Sequence, residues 1–332
     1  MPSPTLDLFC LGNAIVDIIA SCDDRFLADN GIIKGAMNLI DADRAEHLYA
    51  AMGPAIETSG GSAGNTAAGA AALGARVGYS GKVARDQLGS IFTHDIRALG
   101  VAFNTEPLDG PPPTARSMIF VTPDAQRSMN TYLGACVRLG PDDVDEAKAA
   151  GAAITYFEGY LWDAAEAKAM IRETARIAHE NGRLVAITLS DPFCVDRFRA
   201  EFLELIASGT VDIVFANADE VRSLYEMDDL AEATERLGRE ASIAVVTHGP
   251  DGSTAIRGND RATVKAWPIA EARDTTGAGD LYAAGFLTAL TKGHDLSQCC
   301  RLGSFAAGRI VEQIGPRPSP KLGEEAREAG VL

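Results

Sequence analysis

Long hydrophobic runs and Cys-x-x-Cys pairs are both missing from this sequence. No stretch of 18 or more consecutive apolar residues occurs, so the sequence offers no candidate membrane-spanning helix. The six cysteines are scattered and include no Cys-x-x-Cys pair, which argues against a metal site and indicates free thiols in a reducing compartment. The first residues also lack the basic and apolar segments of a secretory signal. These absences predict a cytoplasmic protein without a membrane partner.

Basic residues are few relative to acidic ones. The 30 Lys and Arg residues face 46 Asp and Glu residues, and the formal net charge is −16, which argues against a nucleic-acid partner. Two phosphate-binding motifs are absent as well. There is no Gly-x-x-x-x-Gly-Lys-Ser/Thr sequence, which excludes a P-loop kinase, and no Gly-x-Gly-x-x-Gly follows the first predicted strand. An anionic ligand would therefore depend on local backbone amides, magnesium and a few basic side chains.

The sequence does contain a glycine-rich stretch, Asp274–Asp280, that opens a strongly helical pattern. Glycines let the backbone approach a ligand closely, and the unpaired N–H groups of a helix start attract anions. A carboxylate beside such a site indicates a base that takes a proton from a hydroxyl group. In that interpretation the amides of Gly277, Ala278 and Gly279 hold the transferring phosphoryl group and Asp280 is the base. A simple helix cap would also explain a short cluster of this kind.

Two earlier stretches carry polar residues or glycines in unusual places. Asn13 follows the first predicted strand, and Asp17 lies inside the apolar run after it. A buried carboxylate is costly without partners, so Asp17 either faces solvent at a sheet edge or accepts hydrogen bonds from a vicinal diol. Gly60 and Gly61 precede a helix of small residues, where they form either a structural turn or a surface against which a ligand packs.

From Ala153 onward, predicted strands and helices alternate, which is typical of a parallel sheet covered on both faces. Short strands in two earlier segments do not alternate with helices and predict a separate small sheet. The charged tail, residues 317–332, is predicted to be peripheral. The predicted large domain comprises residues 1–12, 40–112 and 135–332, and the predicted small β domain comprises residues 13–39 and 113–134.

Several polar residues follow strands of the alternating region, where ligands of parallel sheets bind. Asn217 and Glu220 come directly after one predicted strand and Thr247 ends another. The Asn-x-x-Glu spacing suits a capped helix start, and such a start is also a suitable neighbour for a phosphate. Both roles stay open from the sequence.

The stretch Asp274–Asp280 resembles the C-terminal signature of the ribokinase-like (PfkB) family of carbohydrate and nucleoside kinases. The stretch Gly60-Gly61-Ser62-Ala63-Gly64-Asn65-Thr66-Ala67 resembles its N-terminal signature, and the similarity extends over residues 12–316. This resemblance implies an α/β fold: a three-layer α/β/α domain with a mainly parallel central sheet, plus a small β-sheet lid. It also implies ATP- and magnesium-dependent transfer to a primary hydroxyl group, with Asp280 as general base and the amides of residues 277–279 as anion hole.

The resemblance further assigns binding roles to individual residues. The residues implied to contact the sugar are Asp17 and Asn65, with Asn13, Gly60, Gly61 and Ser62 beside them. Arg127, on the lid, is implied to approach the phosphate. The residues implied to hold ATP and its phosphates are Asn217, Glu220, Thr247, Gly249, Gly252, Thr275 and Thr276. Glu220 is expected to bind magnesium through water, and Asp274 and Thr276 are candidate ligands of potassium.

Within the family, Gly12-Asn13 and the stretch at 127–135 resemble the adenosine-kinase branch, which implies phosphorylation of the 5′-hydroxyl of adenosine to AMP. Ile40, Leu133 and Tyr160 are candidates for an apolar purine slot and are equally consistent with packing. Two alternatives stay open: a ribokinase- or fructokinase-like sugar kinase, and a non-catalytic nucleoside-binding protein. The second alternative leaves the base beside the anion hole without a purpose. A monomer and a lid-mediated homodimer are both compatible with the sequence.

Overall fold

The computed structural model describes residues 3–124 and 126–332, which form two β-sheets of unequal size. Met1, Pro2 and Ala125 lie outside the described residues. Ala125 belongs to residues 123–126, which the sequence predicts to form a turn. The strands are β1 (Leu6–Leu11), β2 (Ile15–Ser21), β3 (Met37–Leu39), β4 (Ala55–Ser59), β5 (Val77–Ser80), β6 (Ala102–Phe103), β7 (Ala115–Val121), β8 (Arg127–Tyr132), β9 (Ala152–Glu158), β10 (Leu184–Thr188), β11 (Ile213–Asn217), β12 (Ile243–Thr247), β13 (Ser253–Arg257) and β14 (Asp260–Val264). The helices are α1 (Asp24–Asp29), α2 (Ala42–Ala51), α3 (Ser62–Ala72), α4 (Gln87–Ala98), α5 (Glu146–Gly151), α6 (Ala165–Glu180), α7 (Pro192–Ala207), α8 (Ala218–Tyr225), α9 (Leu230–Glu240), α10 (Ala278–Thr291), α11 (Leu296–Val311) and α12 (Leu322–Glu328).

The large sheet has the order β14-β13-β12-β11-β10-β9-β1-β5-β6. Its strands from β12 to β6 are parallel, and β13 and β14 add an antiparallel hairpin at one edge. Alternate residues of β1 point into two cores. Leu8 packs on the side of α3, α10 and α11, and Phe9 packs on the side of α6 to α9. This arrangement confirms the predicted three-layer α/β/α fold, because strand side chains alternate between the two faces of a sheet.

The small sheet has the order β3-β8-β7-β2-β4. Strand β4 lies in the segment 40–112 that the sequence assigned to the large domain, and this assignment is wrong. β4 pairs antiparallel with β2, with Val16 opposite Ser59, and α2 packs against β7 and β8. The error has a physical cause: β4 is a short edge strand, mostly exposed, and therefore carries no alternating apolar pattern.

The C-terminal tail is not peripheral, which corrects a second expectation. Leu322 and Ala326 of α12 are buried against the same core as α3 and α10. The segment before α12 passes close to the end of β4, where Arg317 donates to the carbonyl oxygen of Gly60. No helix in the described part of the chain is long and apolar enough to cross a bilayer.

Candidate active site

A cavity of about 360 Å³ lies where the carboxyl ends of the parallel strands meet the small sheet. Thr188, Asn217 and Thr247, at the ends of three neighbouring strands, line one side, and Met129 and Thr131 of β8 line the other. The predicted site residues that line this cavity are Asn13, Asp17, Gly61, Ser62, Asn65, Leu133, Tyr160, Asn217, Glu220, Thr247 and residues 275–280. Those that do not line it are Ile40, Gly60, Arg127, Gly249, Gly252 and Asp274.

The start of α10 forms one wall of the cavity. Gly277 precedes the helix with φ of 80°, a conformation that glycine adopts without strain. The helix has no side-chain cap, and the N–H groups of Gly277 and Gly279 have no acceptor among the described residues. The N–H of Ala278, in contrast, donates to the carbonyl oxygen of Thr275 at 3.2 Å. Of the three amides predicted to bind an anion, two therefore have an N–H group without a protein acceptor among the described residues.

Asp280 is held in place by two side chains from α3. Ser62 Oγ donates to Oδ1 of Asp280 at 2.6 Å, and Asn65 Nδ2 donates to Oδ2 at 2.8 Å. Burial raises the pKa of Asp280 to about 6, against the opposing effect of these two hydrogen bonds and of the Arg317 charge. A carboxylate with this pKa is ionised near neutral pH and is still basic enough to accept a proton.

The sequence predicted that Ser62 and Asn65 contact a sugar. In the structure both side chains donate a hydrogen bond to Asp280. Their hydrogen bonds fix the orientation of the Asp280 carboxylate. The other amide atom of Asn65, Oδ1, is buried and has no hydrogen-bond partner among the described residues. Because this oxygen is an acceptor and Asn65 lines the cavity, it remains available for a ligand hydroxyl group.

Asp17 also lines the cavity, but its carboxylate accepts no hydrogen bond from any described residue. The side chain packs against the backbone of Gly60, where an added Cβ would lie 2.3 Å from Oδ2 of Asp17. Burial raises the pKa of Asp17 to about 7. A buried carboxylate without a hydrogen-bond donor is costly. The position of Asp17 in the cavity wall therefore points to a donor that arrives with the ligand.

Glu158, at the end of β9, belongs to the site and was missed by the sequence analysis. Its Oε1 accepts from Asn13 N at 3.0 Å and from Asn13 Nδ2 at 2.8 Å, and its Oε2 accepts from Ala63 N at 2.7 Å. Burial raises its pKa to about 7. Glu158 thus joins the turn after β1 to the start of α3. A charged residue directly after the buried run Ile154–Phe157 was a signal that could have identified it.

Arg127 does not reach into the cavity as predicted. Its guanidinium contacts the carboxylate of Asp274, and both side chains are almost fully buried. The same carboxylate accepts the N–H of Thr276 at 3.0 Å and of Gly315 at 2.7 Å. Arg127 therefore ties β8 of the small sheet to the loop before α10. Potassium binding by Asp274 and Thr276 stays a prediction, and in this structure the carboxylate already has a cation beside it.

The apolar side of the cavity comes mainly from the small sheet. Met37, Leu39, Met129 and Leu133 line it, and Ile40 does not. Ile40 follows β3 and packs instead against the core that contains α3 and α10. The prediction was off by one residue, which in a strand sends the side chain to the opposite face.

Polar groups close the far end of this apolar surface. The hydroxyl group of Tyr160 donates to Asp191 Oδ2 at 2.8 Å. Ser190, beside Asp191, also lines the cavity and has a φ of 77°, which is unusual for a residue other than glycine. A local backbone conformation of this kind leaves no sequence pattern, so only the structure could reveal it.

A family model described as "pfkB family carbohydrate kinase" matches residues 35–322 of this sequence. The chain belongs to the PfkB family. It is therefore a kinase that transfers a phosphoryl group to a hydroxyl group, and its two sheets are the large and small sheets of the ribokinase-like fold.

Two solved structures are similar to this PfkB kinase over nearly its whole length. A probable sugar kinase from Rhizobium etli CFN 42 is 58% identical, covers 99% of this chain and 100% of its own, and has a TM-score of 0.96. An adenosine kinase from Sinorhizobium meliloti is 63% identical, covers 98% of this chain and 99% of its own, and has a TM-score of 0.94. Among curated relatives, adenosine kinase from Saccharomyces cerevisiae is 26% identical over 96% of this chain and 98% of its own.

A PfkB kinase uses ATP, and the residues at the strand ends suit its phosphates and magnesium. Asn217 and Glu220 form a capping box at the start of α8: Asn217 N and Nδ2 donate to the Glu220 carboxylate at 3.0 and 2.5 Å. This confirms the predicted cap. Burial raises the pKa of Glu220 to about 7.

Residues 3–124 and 126–332 contain no cluster of three His, Cys, Asp or Glu side chains that could hold a metal. Magnesium would accordingly depend on phosphate oxygens, water and Glu220, all of which are hard oxygen ligands.

Thr247, the last residue of β12, lines the PfkB kinase's cavity, and the turn that follows it, residues 248–252, does not. Gly252 has φ of 107°, and an added Cβ there would lie 2.0 Å from the carbonyl oxygen of Val264, so this glycine is required by the hairpin. Gly249 also has a positive φ, of 58°, and nothing lies within 4 Å of an added Cβ. Contacts of Gly249 and Gly252 with a nucleotide stay a prediction.

Proposed function

We propose that this PfkB kinase transfers the γ-phosphoryl group of ATP to the 5′-hydroxyl of adenosine and yields AMP. One observation carries the proposal: two carboxylates with different environments line the same cavity. Asp280 is oriented by two hydrogen bonds, as a general base requires, and the Asp17 carboxylate has no hydrogen-bond donor among the described residues, as a ligand for a diol requires. The names of the relatives from Sinorhizobium meliloti and Saccharomyces cerevisiae support the choice of adenosine.

The phosphoryl transfer follows from the geometry around α10. Asp280 accepts the proton of the 5′-hydroxyl while the oxygen attacks the γ-phosphorus in line. Ser62 and Asn65 keep the carboxylate in the orientation for this transfer. The N–H groups of Gly277 and Gly279, at the positive end of the helix, stabilise the charge that develops on the phosphoryl oxygens. Magnesium, when bound beside Glu220, would neutralise part of the phosphate charge.

The sugar and the base occupy the other half of the cavity. The Asp17 carboxylate accepts hydrogen bonds from the 2′- and 3′-hydroxyls, and Asn65 Oδ1 is a second acceptor for one of them. The purine packs against Met37, Met129 and Leu133. A sugar kinase is the second candidate, because the Rhizobium etli relative is described as one. A sugar would leave this apolar surface without a ligand group to cover it, which favours the nucleoside.

We infer that the small sheet, with β4 and α2 included, closes over the bound nucleoside as a lid and excludes water from the phosphoryl group. This division revises the domain limits that the sequence suggested. A cytoplasmic location and either a monomer or a lid-mediated dimer remain predictions, which fractionation and sedimentation would test.

The decisive experiment measures ATP consumption with adenosine, inosine, ribose and fructose in the presence of magnesium. We expect turnover to be selective for adenosine and to fall about 10³-fold in Asp280→Asn, which loses the base. Asp260→Asn, an exposed change in the β13–β14 hairpin, is the matched control and should keep full activity. Turnover of ribose or fructose alone would overturn the nucleoside assignment and leave the role of Asp280 intact. Tight adenosine binding without any turnover would favour a binding protein.

A second pair of variants tests the apolar surface directly. Leu133→Ala removes part of the wall that packs against the purine, so the KM for adenosine should rise about tenfold. Ile56→Ala, on the exposed edge of the same sheet, is the control and should leave KM unchanged. An unchanged KM in Leu133→Ala would contradict the placement of the base on this surface.

A further inference from the structure

The segment after α11 brings one cation to the back of the site. Arg317 Nε donates to Ser59 Oγ at 3.0 Å, and Nη2 donates to the carbonyl oxygen of Gly60 at 3.2 Å. Its Nη1 is shielded from solvent and has no hydrogen-bond partner among the described residues. No role was predicted for Arg317, because it lies in a charged tail outside both family signatures.

The guanidinium lies between two segments that contact the carboxylates of the site, the Ser59–Gly60 segment and α3. Gly60 forms the surface on which the Asp17 carboxylate packs. On the other side, a Cβ added to Gly64 of α3 would lie 3.4 Å from Arg317 Nη2. The next residue of that helix, Asn65, holds Asp280. Arg317 therefore contacts the end of β4 and approaches the first turn of α3 at the same time.

The charges around this point are mostly negative. Asp17 faces Asp280 and Asp274, which both raise its pKa, and Arg317 and Arg127, which both lower it. Asp280 in turn acts on Glu158 and Glu220, whose pKa values it raises. Arg317 also faces Asp95, whose carboxylate accepts the N–H of Ser59.

Arg127 and Arg317 differ in how they compensate this charge. Arg127 is paired directly with Asp274. Arg317 has no direct carboxylate partner among the described residues and lowers the pKa values of both Asp17 and Asp280. Its charge is therefore shared between the two carboxylates that the reaction uses.

We propose that Arg317 is a positioning residue that keeps Asp17 and Asp280 ionised together and holds the Ser59–Gly60 end of β4 against α3. This inference rests on the proposed function, because it assumes that Asp17 binds the sugar and Asp280 is the base. Two carboxylates in one desolvated cavity raise each other's pKa, and a fixed buried cation that faces both opposes this effect. Arg317 acts through these residues and not on the substrate.

The test compares the pH dependence of kcat/KM for adenosine, at saturating magnesium-ATP, in four proteins: wild type, Arg317→Gln, Arg317→Lys and Arg309→Gln. Arg309 is an exposed arginine of α11 and provides a control for the loss of one positive charge. The acid limb of this profile is the decrease of kcat/KM at low pH. In Arg317→Gln we expect the acid limb to move to higher pH by roughly one unit. Because both carboxylates titrate in this range, the value at pH 5.5 should then fall at least tenfold, while the value at pH 8.5 changes by less than about twofold. Arg317→Lys and Arg309→Gln should keep the wild-type limb.

A loss in Arg317→Gln that is uniform at all pH values, with an unmoved acid limb, would overturn the electrostatic role. If Arg317→Gln does not fold, Arg317→Lys decides, since it retains the charge and a displaced limb in this variant contradicts the proposal. Carbon-13 NMR titration of aspartate-labelled protein, assigned with Asp17→Asn and Asp280→Asn, reads the two pKa values without substrate. A wild type that does not phosphorylate adenosine would refute the proposed function, and the titration would still test Arg317.

Discussion

Arg127 of the small sheet forms a buried ion pair with Asp274, which lies directly before the anion-binding loop. The two residues are 147 positions apart in the sequence. Arg127 lies on β8 of the small sheet, and Asp274 lies in the segment that connects β14 of the large sheet to α10. The carboxylate of Asp274 also accepts N–H groups from Thr276 and Gly315. The position of the small sheet and the shape of the loop before α10 are thus linked through one carboxylate.

Removal of Arg127 should destabilise the enzyme and affect the loop. Arg127→Gln leaves the buried carboxylate of Asp274 without a cation, and we expect the free energy of unfolding to fall by about 3 kcal/mol. Lys34→Met is the control, because Lys34 lies in the turn before β3 and pairs with Asp24 and Asp124, whose side chains are 71% and 55% exposed; its loss should lower the unfolding free energy far less than the loss of Arg127. Urea denaturation measures both. An equally small effect in Arg127→Gln would show that the ion pair contributes little.

Potassium provides a separate test of the same carboxylate. In Arg127→Gln the predicted cation ligands, Asp274 and Thr276, no longer have a guanidinium beside them. We expect potassium to activate this variant more strongly than it activates the wild type, because it can supply the missing charge. Initial rates with potassium chloride and with choline chloride at equal ionic strength make the comparison. Identical responses of the two proteins would argue against a cation site at Asp274.

The activity of the wild type should depend on the ionisation of Asp280. Burial raises the pKa of this carboxylate to about 6, and the base is active only when it is deprotonated. Asp17, whose pKa is raised to about 7, must also be ionised in the proposed function, so we expect kcat/KM for adenosine to be constant above about pH 8, to fall as the pH drops through 7, and to fall by more than tenfold per unit below pH 6. Circular dichroism at each pH must show a folded protein. An acid limb near pH 4, the value of an ordinary carboxyl group, would contradict the raised pKa.

Substitution by alanine should lower kcat at Gly279 and lower the free energy of unfolding at Gly277. A Cβ at position 279 meets no atom within 4 Å, so Gly279→Ala should fold normally. Its methyl group nevertheless lies at a cavity-lining position beside a phosphate-binding amide, and we expect kcat to fall about 100-fold. Gly277→Ala places a Cβ at φ of 80° and 3.0 Å from Pro316, which should lower the free energy of unfolding by about 1–2 kcal/mol. Thermal melts and kcat of both variants separate the two effects.

Glu158 should be important for stability and for substrate affinity. In Glu158→Gln an amide N–H₂ replaces one of the oxygens that accept from Asn13 and Ala63, so at least one buried N–H loses its partner. We expect a loss of about 1–3 kcal/mol in unfolding free energy and a higher KM for adenosine. Glu166→Gln, on α6 outside this network, is the control. An unchanged KM would mean that the Asn13 turn does not depend on Glu158.

Short-range features of this protein were readable from the sequence. The turn at Gly277 and the start of α10 follow from neighbouring residues, and so does the capping box of Asn217 and Glu220. The alternation of strands and helices after Ala153 predicted the parallel sheet, because each element carries its own periodic pattern. The prediction that Asp280 is the base depends on the same local stretch.

Contacts between distant residues were decided by the tertiary structure alone. Ser62 and Asp280 are 218 positions apart, and Arg317 and Gly60 are 257 apart. No local pattern records which carboxylate a hydroxyl or a guanidinium will meet, since that depends on how β4, α3 and the C-terminal segment pack together. The edge strand β4 was assigned to the wrong domain because its exposed residues carry no alternating pattern, and the contacts of Glu158 with Asn13 and Ala63 likewise depend on packing. The sequence by itself determined the chemical groups of the site, and packing decided their partners, their burial and therefore their pKa values.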